Sequence, residues 1–173
     1  MPQTPSQTVG PFFAYGLTPE QYDYDFKSLT DNQMIDGHSK DIITINGQVL
    51  DGEGTPIPDA LIEIWQNDKN EKRFGRFGTG TDPGNRFVFK TVKPQPVNGC
   101  APYLSIIVFM RGQLIHSYTR LYFSDEEELN QNDPVLRSVP DARRKTLIAK
   151  RNGNHYSFDI RMQGTDETVF FDI

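Results

Sequence analysis

Apolar and polar residues alternate along Ile43-Thr-Ile-Asn-Gly-Gln-Val-Leu50, and a period of two predicts a strand with one buried face. Asp51-Gly-Glu-Gly-Thr-Pro-Ile-Pro58 supplies turn residues, and Ala60-Leu-Ile-Glu-Ile-Trp65 predicts the returning strand of a hairpin. Further strands are predicted at Arg86–Val92, Tyr103–Met110, Leu114–Phe123, Thr146–Lys150, Tyr156–Met162 and Thr168–Asp172. Gly, Pro and Asn clusters such as Asp82-Pro-Gly-Asn85 and Asn152-Gly-Asn154 separate them. Many short strands with regular turn signals predict an all-β sandwich over residues 41–173.

Residues 1–40 break this rhythm. The stretch from Thr4 to about Lys40 is rich in Pro, Tyr, Phe and Asp without helical or alternating period, and reads as an N-terminal arm. Its aromatics Phe12, Phe13, Tyr15, Tyr22, Tyr24 and Phe26 are too many to leave in water. The arm is therefore expected to lie across a surface of this chain or of a partner. Asp125-Glu-Glu-Glu-Leu129 can open one short helix, its carboxylates favoured at the positive N-terminal end.

A chain of 173 residues with 36% apolar and 12% aromatic content suffices for one buried core. The net charge of -5 argues against a nucleic-acid partner, which requires clustered Lys and Arg. The short basic cluster Arg143-Arg144-Lys145, with Lys150-Arg151, reads as strand edge or interface. Cys100 is the single cysteine, so no internal disulfide can form and a reducing cytoplasm fits best. There is no apolar run of membrane-spanning length, and Met1-Pro-Gln-Thr-Pro lacks the basic start and apolar block of a signal peptide. A soluble, cytoplasmic, unprocessed protein is expected.

The chemistry concentrates at two places. Ala101–Phe123 reads as two apolar strands around a turn with Arg111 at its tip, where a guanidinium can pair with an anion or can be a solvated hairpin charge. In the arm, Thr8 offers a hydroxyl, Gly10 permits close backbone approach and Pro11 fixes the chain without an N–H donor; Gly10-Pro11 alone can also be a simple turn. His38, His116 and His155 are dispersed and read as surface or strand residues, since a metal site needs convergent ligands. Gln66, Tyr118 and Arg120 read as polar strand residues serving folding or subunit packing.

Motifs along nearly the whole chain carry a resemblance. They are Thr4-Pro-Ser-Gln-Thr-Val-Gly-Pro-Phe12, Gly47-Gln-Val-Leu-Asp-Gly52, Ile62-Glu-Ile-Trp-Gln66, Thr91-Val-Lys-Pro94, Met110-Arg-Gly112, Thr119-Arg-Leu-Tyr-Phe123, Thr146-Leu-Ile-Ala-Lys-Arg151 and Phe158-Asp-Ile-Arg-Met-Gln-Gly164, with Glu167–Ile173. Together they resemble the intradiol ring-cleavage dioxygenases, and within them the alpha type of chain. The resemblance implies a mixed, antiparallel-rich β-sandwich and an αβ protomer, of higher oligomeric order, whose beta subunit holds a non-haem Fe(III) through two Tyr and two His. It implies cleavage of 3,4-dihydroxybenzoate between its hydroxyl-bearing carbons, with both atoms of O2 inserted to give 3-carboxy-cis,cis-muconate.

At the ligand positions of the iron-bearing type this chain departs from the pattern. The loop after Trp65-Gln66 that carries the first tyrosine is nearly absent, Val97 follows Lys93-Pro-Gln-Pro96 where the second belongs, and Tyr103 and Ser105 stand for the histidines. The resemblance therefore implies no metal on this chain and a substrate-binding role for Thr8, Gly10, Pro11, Phe12 and Arg111 in a pocket over the partner's iron. A non-enzymatic transthyretin-like or carbohydrate-binding sandwich is the alternative from another class, and a self-sufficient homomeric dioxygenase with unusual ligands is a third.

Overall fold

The computed structural model describes residues 8–10, 12–68 and 71–172. Strand β1 (Ile42–Leu50) realises the predicted alternation, burying Ile43, Ile45, Gly47 and Val49. Strands β2 (Leu61–Asn67), β3 (Lys72–Gly78), β4 (Arg86–Val92), β5 (Tyr103–Phe109), β6 (Ser117–Phe123), β7 (Ile148–Asn152), β8 (His155–Ser157) and β9 (Ile160–Arg161) follow. The order across the sheet is β3-β2-β5-β6-β7-β8-β1-β4, with β9 added to β1. Most neighbours run antiparallel, but β6–β7, β1–β8 and β1–β9 are parallel, so the sheet is mixed as expected.

The sheet curls until its end strands β3 and β4 approach, with the rings of Phe77 and Phe89 6.3 Å apart. Residues 31–34 bridge the remaining gap. Arg76 N donates to Asp31 O at 2.9 Å on one side, while Lys90 N donates to Asn32 O at 2.9 Å and Met34 N to Lys90 O at 2.8 Å on the other. These bonds cover the part of each edge around Arg76 and Lys90, where the strand would otherwise present unpaired backbone groups. Enclosed between the two halves are Ile45, Ile62, Ile64, Phe87, Phe89, Leu104, Ile106 and Leu121, each with no exposed surface. Each such side chain contributes about 1.5–3 kcal/mol by leaving water.

A second, smaller cluster sits outside β5 and β6, where Ala101, Tyr122, Leu136, Val139 and Leu147 pack together. Three short helices follow β6, α2 (Glu127–Asn132), α3 (Pro134–Ser138) and α4 (Asp141–Arg144), and α3 contributes the buried Leu136 to it. The acidic stretch opens a helix as expected, with Glu127 and Glu128 in its first turn. Of the basic cluster, Lys150 and Arg151 lie on strand β7 as read, whereas Arg143 and Arg144 close this helical segment. Arg144 Nε donates to Val139 O at 2.9 Å and Arg143 Nη2 to Glu167 O at 2.8 Å, so these cations satisfy carbonyls of their own chain.

Other expectations need correction. Strand β3 was not expected, Leu114 and Ile115 lie in the hairpin turn at 70% and 78% exposure instead of in β6, and residues 168–172 form no strand. That last segment still follows β6, since Phe171 N donates to Tyr118 O at 2.9 Å and Thr119 Oγ1 to Val169 O at 2.7 Å. Among the described residues no helix is long and apolar enough to cross a membrane.

Candidate functional site

The β5–β6 hairpin turns at Arg111-Gly112, where Gly112 adopts φ +89°, a backbone region in which a side chain is strained. This turn is clamped from the arm. Gly112 N donates to Thr8 Oγ1 at 3.0 Å, and Thr8 Oγ1 lies 3.5 Å from Met110 O as a longer donor. One hydroxyl so ties residue 8 of the arm to residues 110 and 112, on either side of the arginine.

Helix α1 (Phe13–Leu17) continues from there, with Phe13 N donating to Gly10 O at 3.1 Å and the Phe13 ring 5.7 Å from that of Phe109. Thr8, Gly10 and Arg111, three of the five expected substrate-binding residues, are thus brought to one corner, with Phe12 at the start of α1. Pro11 lies outside the described residues. Among the described residues nothing stands within 4 Å of where a Gly10 Cβ would be, so that side of the backbone is open to them. Phe12 is 72% exposed, and its ring meets that of Tyr15 edge-to-face with centroids 5.4 Å apart.

Beside the corner, Val9, Phe13, Phe109, Met110, Leu114 and Ile115 line an apolar hollow of about 260 Å³. Expected packing of the arm aromatics therefore holds in part: Phe13 and Tyr22 lie against the sandwich, whereas Phe12, Tyr24 and Phe26 remain on the outside.

Arg111 is not a free charge. Its Nε faces Asp59 Oδ2 in an ion pair, while its side chain remains 58% exposed. Asp59 sits in the turn before β2 with its carboxylate nearly buried. An aspartate in a Pro-Asp turn reads as a turn former, so no sequence signal joined it to an arginine 52 positions away.

The outer face of β5 and β6, where the resemblance places metal ligands on the iron-bearing type, holds a guanidinium. Arg120 lies 4.2 Å from the centre of the Tyr103 ring, and donates to Tyr118 Oη at 3.3 Å and Tyr122 Oη at 3.4 Å. Ser105 Oγ shares a hydrogen bond with Tyr118 Oη at 3.1 Å. Burial pushes the Tyr103 phenol above its usual ionisation range, more than the Arg120 charge pulls it down. A phenol held protonated against a cation is a poor donor to Fe(III), a neutral serine is another, and Val97 has no donor atom. Among the described residues, moreover, no three His, Cys, Asp or Glu side chains converge as a metal-binding group. The residues of this face do not fit a metal centre.

Comparison with known proteins adds the following. No protein-family model matches the chain. The protocatechuate 3,4-dioxygenase alpha chain of Burkholderia cepacia is 47% identical over 192 positions, covering 99% of this chain and 98% of its own length. That of Pseudomonas putida is 39% identical, covering 99% and 97%. The beta chain from Burkholderia cepacia is 27% identical over 81% of this chain and 72% of its own. Among solved structures, an intradiol ring-cleavage dioxygenase from Tetranychus urticae superposes with a TM-score of 0.59 at 13% identity, covering 79% of this chain and 89% of that one, a likeness of fold.

Proposed function

Because the chain belongs to the family of protocatechuate 3,4-dioxygenase alpha chains, we infer that it works as one half of an intradiol dioxygenase whose other half is a beta chain. The complex cleaves protocatechuate between its hydroxyl-bearing carbons, inserting both atoms of O2 to give 3-carboxy-cis,cis-muconate. The beta chain holds the Fe(III), and this chain supplies a wall of the substrate pocket through Thr8, Gly10, Pro11, Phe12 and Arg111. It does so in the cytoplasm, within a higher oligomer of αβ protomers.

The single observation that carries this reading is the Thr8 clamp on the Met110–Gly112 turn, which sets the arm and the arginine side by side. The side of Gly10 left open by the described residues and the exposed ring of Phe12 give that corner room and surface for a second body. Full-length similarity to two enzyme chains weighs against a non-enzymatic sandwich. The guanidinium seated among Tyr103, Tyr118 and Tyr122 weighs against a self-sufficient homomer.

The test is Arg111→Ala in the assembled complex, with kcat/KM measured for protocatechuate and for catechol, which lacks the carboxylate. We expect a loss of about 1.5–3 kcal/mol with protocatechuate, the range of a hydrogen bond to a charged group, and a much smaller loss with catechol. Iron content stays the same. Equal losses for both substrates would mean that Arg111 supports pocket shape only.

Purified without a beta chain, this chain is expected to carry no stoichiometric iron and to aggregate through Phe12, Leu114 and Ile115, which expose large apolar side chains. Metal analysis and light scattering check both points. One iron per chain with a tyrosinate absorption band overturns the division of labour between the chains.

A further inference from the structure

Arg111 and Asp59 depend on each other. A carboxylate taken out of water needs a partner, and losing that partner is costly because the charge stays buried. Asp59 is only 12% exposed at its side chain, and among the described residues neither of its oxygens receives a hydrogen bond. Its compensation is the Arg111 charge, which approaches through Nε. On the arginine, the Nη1–Nη2 edge makes no hydrogen bond among the described residues, and the side chain is more than half exposed. That edge is one of the planar forks by which a guanidinium grips a carboxylate with two parallel N–H donors. The tip is therefore fixed twice: its backbone by Thr8 and its guanidinium by Asp59.

We propose that Asp59 is a positioning residue that sets specificity for an aromatic carboxylate, holding the Arg111 guanidinium by its Nε side so that the Nη edge faces the substrate. This rests on the reading of Arg111 as the group that meets the carboxylate. Asp59 itself touches no substrate. Its effect is to remove rotamer freedom from a long side chain that would otherwise have to be ordered during binding.

The experiment uses the αβ complex at matched iron content, with wild type, Asp59→Asn, Arg111→Ala and the double variant, each assayed with protocatechuate and with catechol. Asp59→Asn keeps the side-chain shape and removes the charge. It is expected to raise KM for protocatechuate roughly five- to thirtyfold, to change kcat less, and to move the catechol constants far less. In the Arg111→Ala background the same substitution adds nothing, because its route to the substrate is gone.

An unchanged or lowered KM for protocatechuate in Asp59→Asn overturns the proposal, the lowered value showing that Asp59 competes with substrate for Arg111. An equal loss for both substrates, or a full additional loss in the Arg111→Ala background, also overturns it and leaves Asp59 as a turn residue. If Arg111→Ala fails to narrow the preference for protocatechuate over catechol, the carboxylate reading itself falls and the proposal falls with it. Should Asp59→Asn not assemble, Asp59→Glu keeps the charge and displaces it by one methylene. It is then expected to give a smaller KM rise, confined to protocatechuate and absent with Arg111→Ala, and no rise counts against positioning.

Discussion

Gly47→Ala is expected to destabilise the sandwich by on the order of 4 kcal/mol or more, among the largest effects of any single methyl group in this chain. A Cβ built on Gly47 would stand 1.8 Å from Phe158 O, 2.6 Å from Phe158 C and 2.8 Å from the tip of the Phe87 ring. The first two atoms are backbone and cannot swing away. They are there because the chain changes partners over this residue: β8 pairs with Thr44, Ile45 and Asn46, β9 pairs with Val49 and Leu50, and Phe158 crosses between them. Phe158 N donates to Asn46 O at 2.9 Å, and Asp159 Oδ1 accepts from Gln48 N at 3.0 Å, which pins the crossing on both sides. A methyl group there must part the two strands. For a chain of this size the loss corresponds to a fall in Tm of roughly 8–16 °C. Gly37→Ala, with nothing among the described residues within 4 Å of the added carbon, is the control and is expected to stay within about 0.5 kcal/mol. Thermal unfolding of the complex and soluble yield measure both variants, and an unaltered Tm for Gly47→Ala would mean that the Phe158 crossing is not held at this distance.

Strand β1 was legible because its buried positions Ile43, Ile45 and Val49 are apolar residues at a period of two. Gly47 occupies an inward position of the same series, and nothing in the pattern told that its missing side chain is required. Strand β3 was hidden for a related reason. Along Lys72-Arg-Phe-Gly-Arg-Phe-Gly78 the alternation is broken by glycines and cations, and the space over Gly75 is filled by Met34 from the arm, whose Cγ would be 2.6 Å from an added Cβ. The apolar group that covers this position comes from 41 residues earlier, beyond any window of local periodicity. Leu114 and Ile115 misled in the opposite sense: two adjacent apolar residues continued a strand pattern, although both are exposed at a hairpin tip.

The candidate corner divides in the same way. Arg111-Gly112 was legible as a turn because an apolar run stands on each side of it. That residue 8 reaches this turn depends on a single hydroxyl spanning 104 positions, which only likeness to whole chains anticipated. Asp59 gave no signal at all, because burial made its charge matter and burial of a turn residue is decided by packing. Helix α3 did carry a local sign that the strand rhythm obscured: Asp133-Pro134 places a capping carboxylate before a proline at the first helical position.

Asp133→Ala is expected to cost about 3–5 kcal/mol, through donors left without an acceptor inside the protein. Asp133 is fully buried. Its Oδ1 accepts from Val135 N at 2.9 Å, Leu136 N at 2.8 Å and Tyr122 Oη at 3.2 Å, and its Oδ2 accepts from Ala101 N at 2.9 Å. The first two bonds cap α3, the third fixes the phenol that receives Arg120, and the fourth anchors the approach to β5. Alanine removes both acceptor oxygens and so all four bonds at once, and the two cap bonds alone account for about 0.5–2 kcal/mol. Asparagine separates the contributions. With its amide oxygen at the Oδ1 position it keeps three of the bonds and sets an NH2 against Ala101 N, so its cost should be intermediate and local to the 101–103 segment. Because Tyr122 loses its orientation in the alanine variant, the Arg120 guanidinium loses a partner and the outer face of β5 and β6 opens to water. Hydrogen exchange at Ala101, Val135 and Leu136 reads the three backbone donors individually, and fluorescence of the half-exposed Trp65, on the same sheet face, serves as a check on global folding. Unaltered protection at all three amides in Asp133→Ala would show that another acceptor takes the place of the carboxylate. Arg111 and its pairing with Asp59 lie at the opposite, hairpin end of β5, so substrate discrimination in a folded Asp133→Asn complex is expected to match wild type.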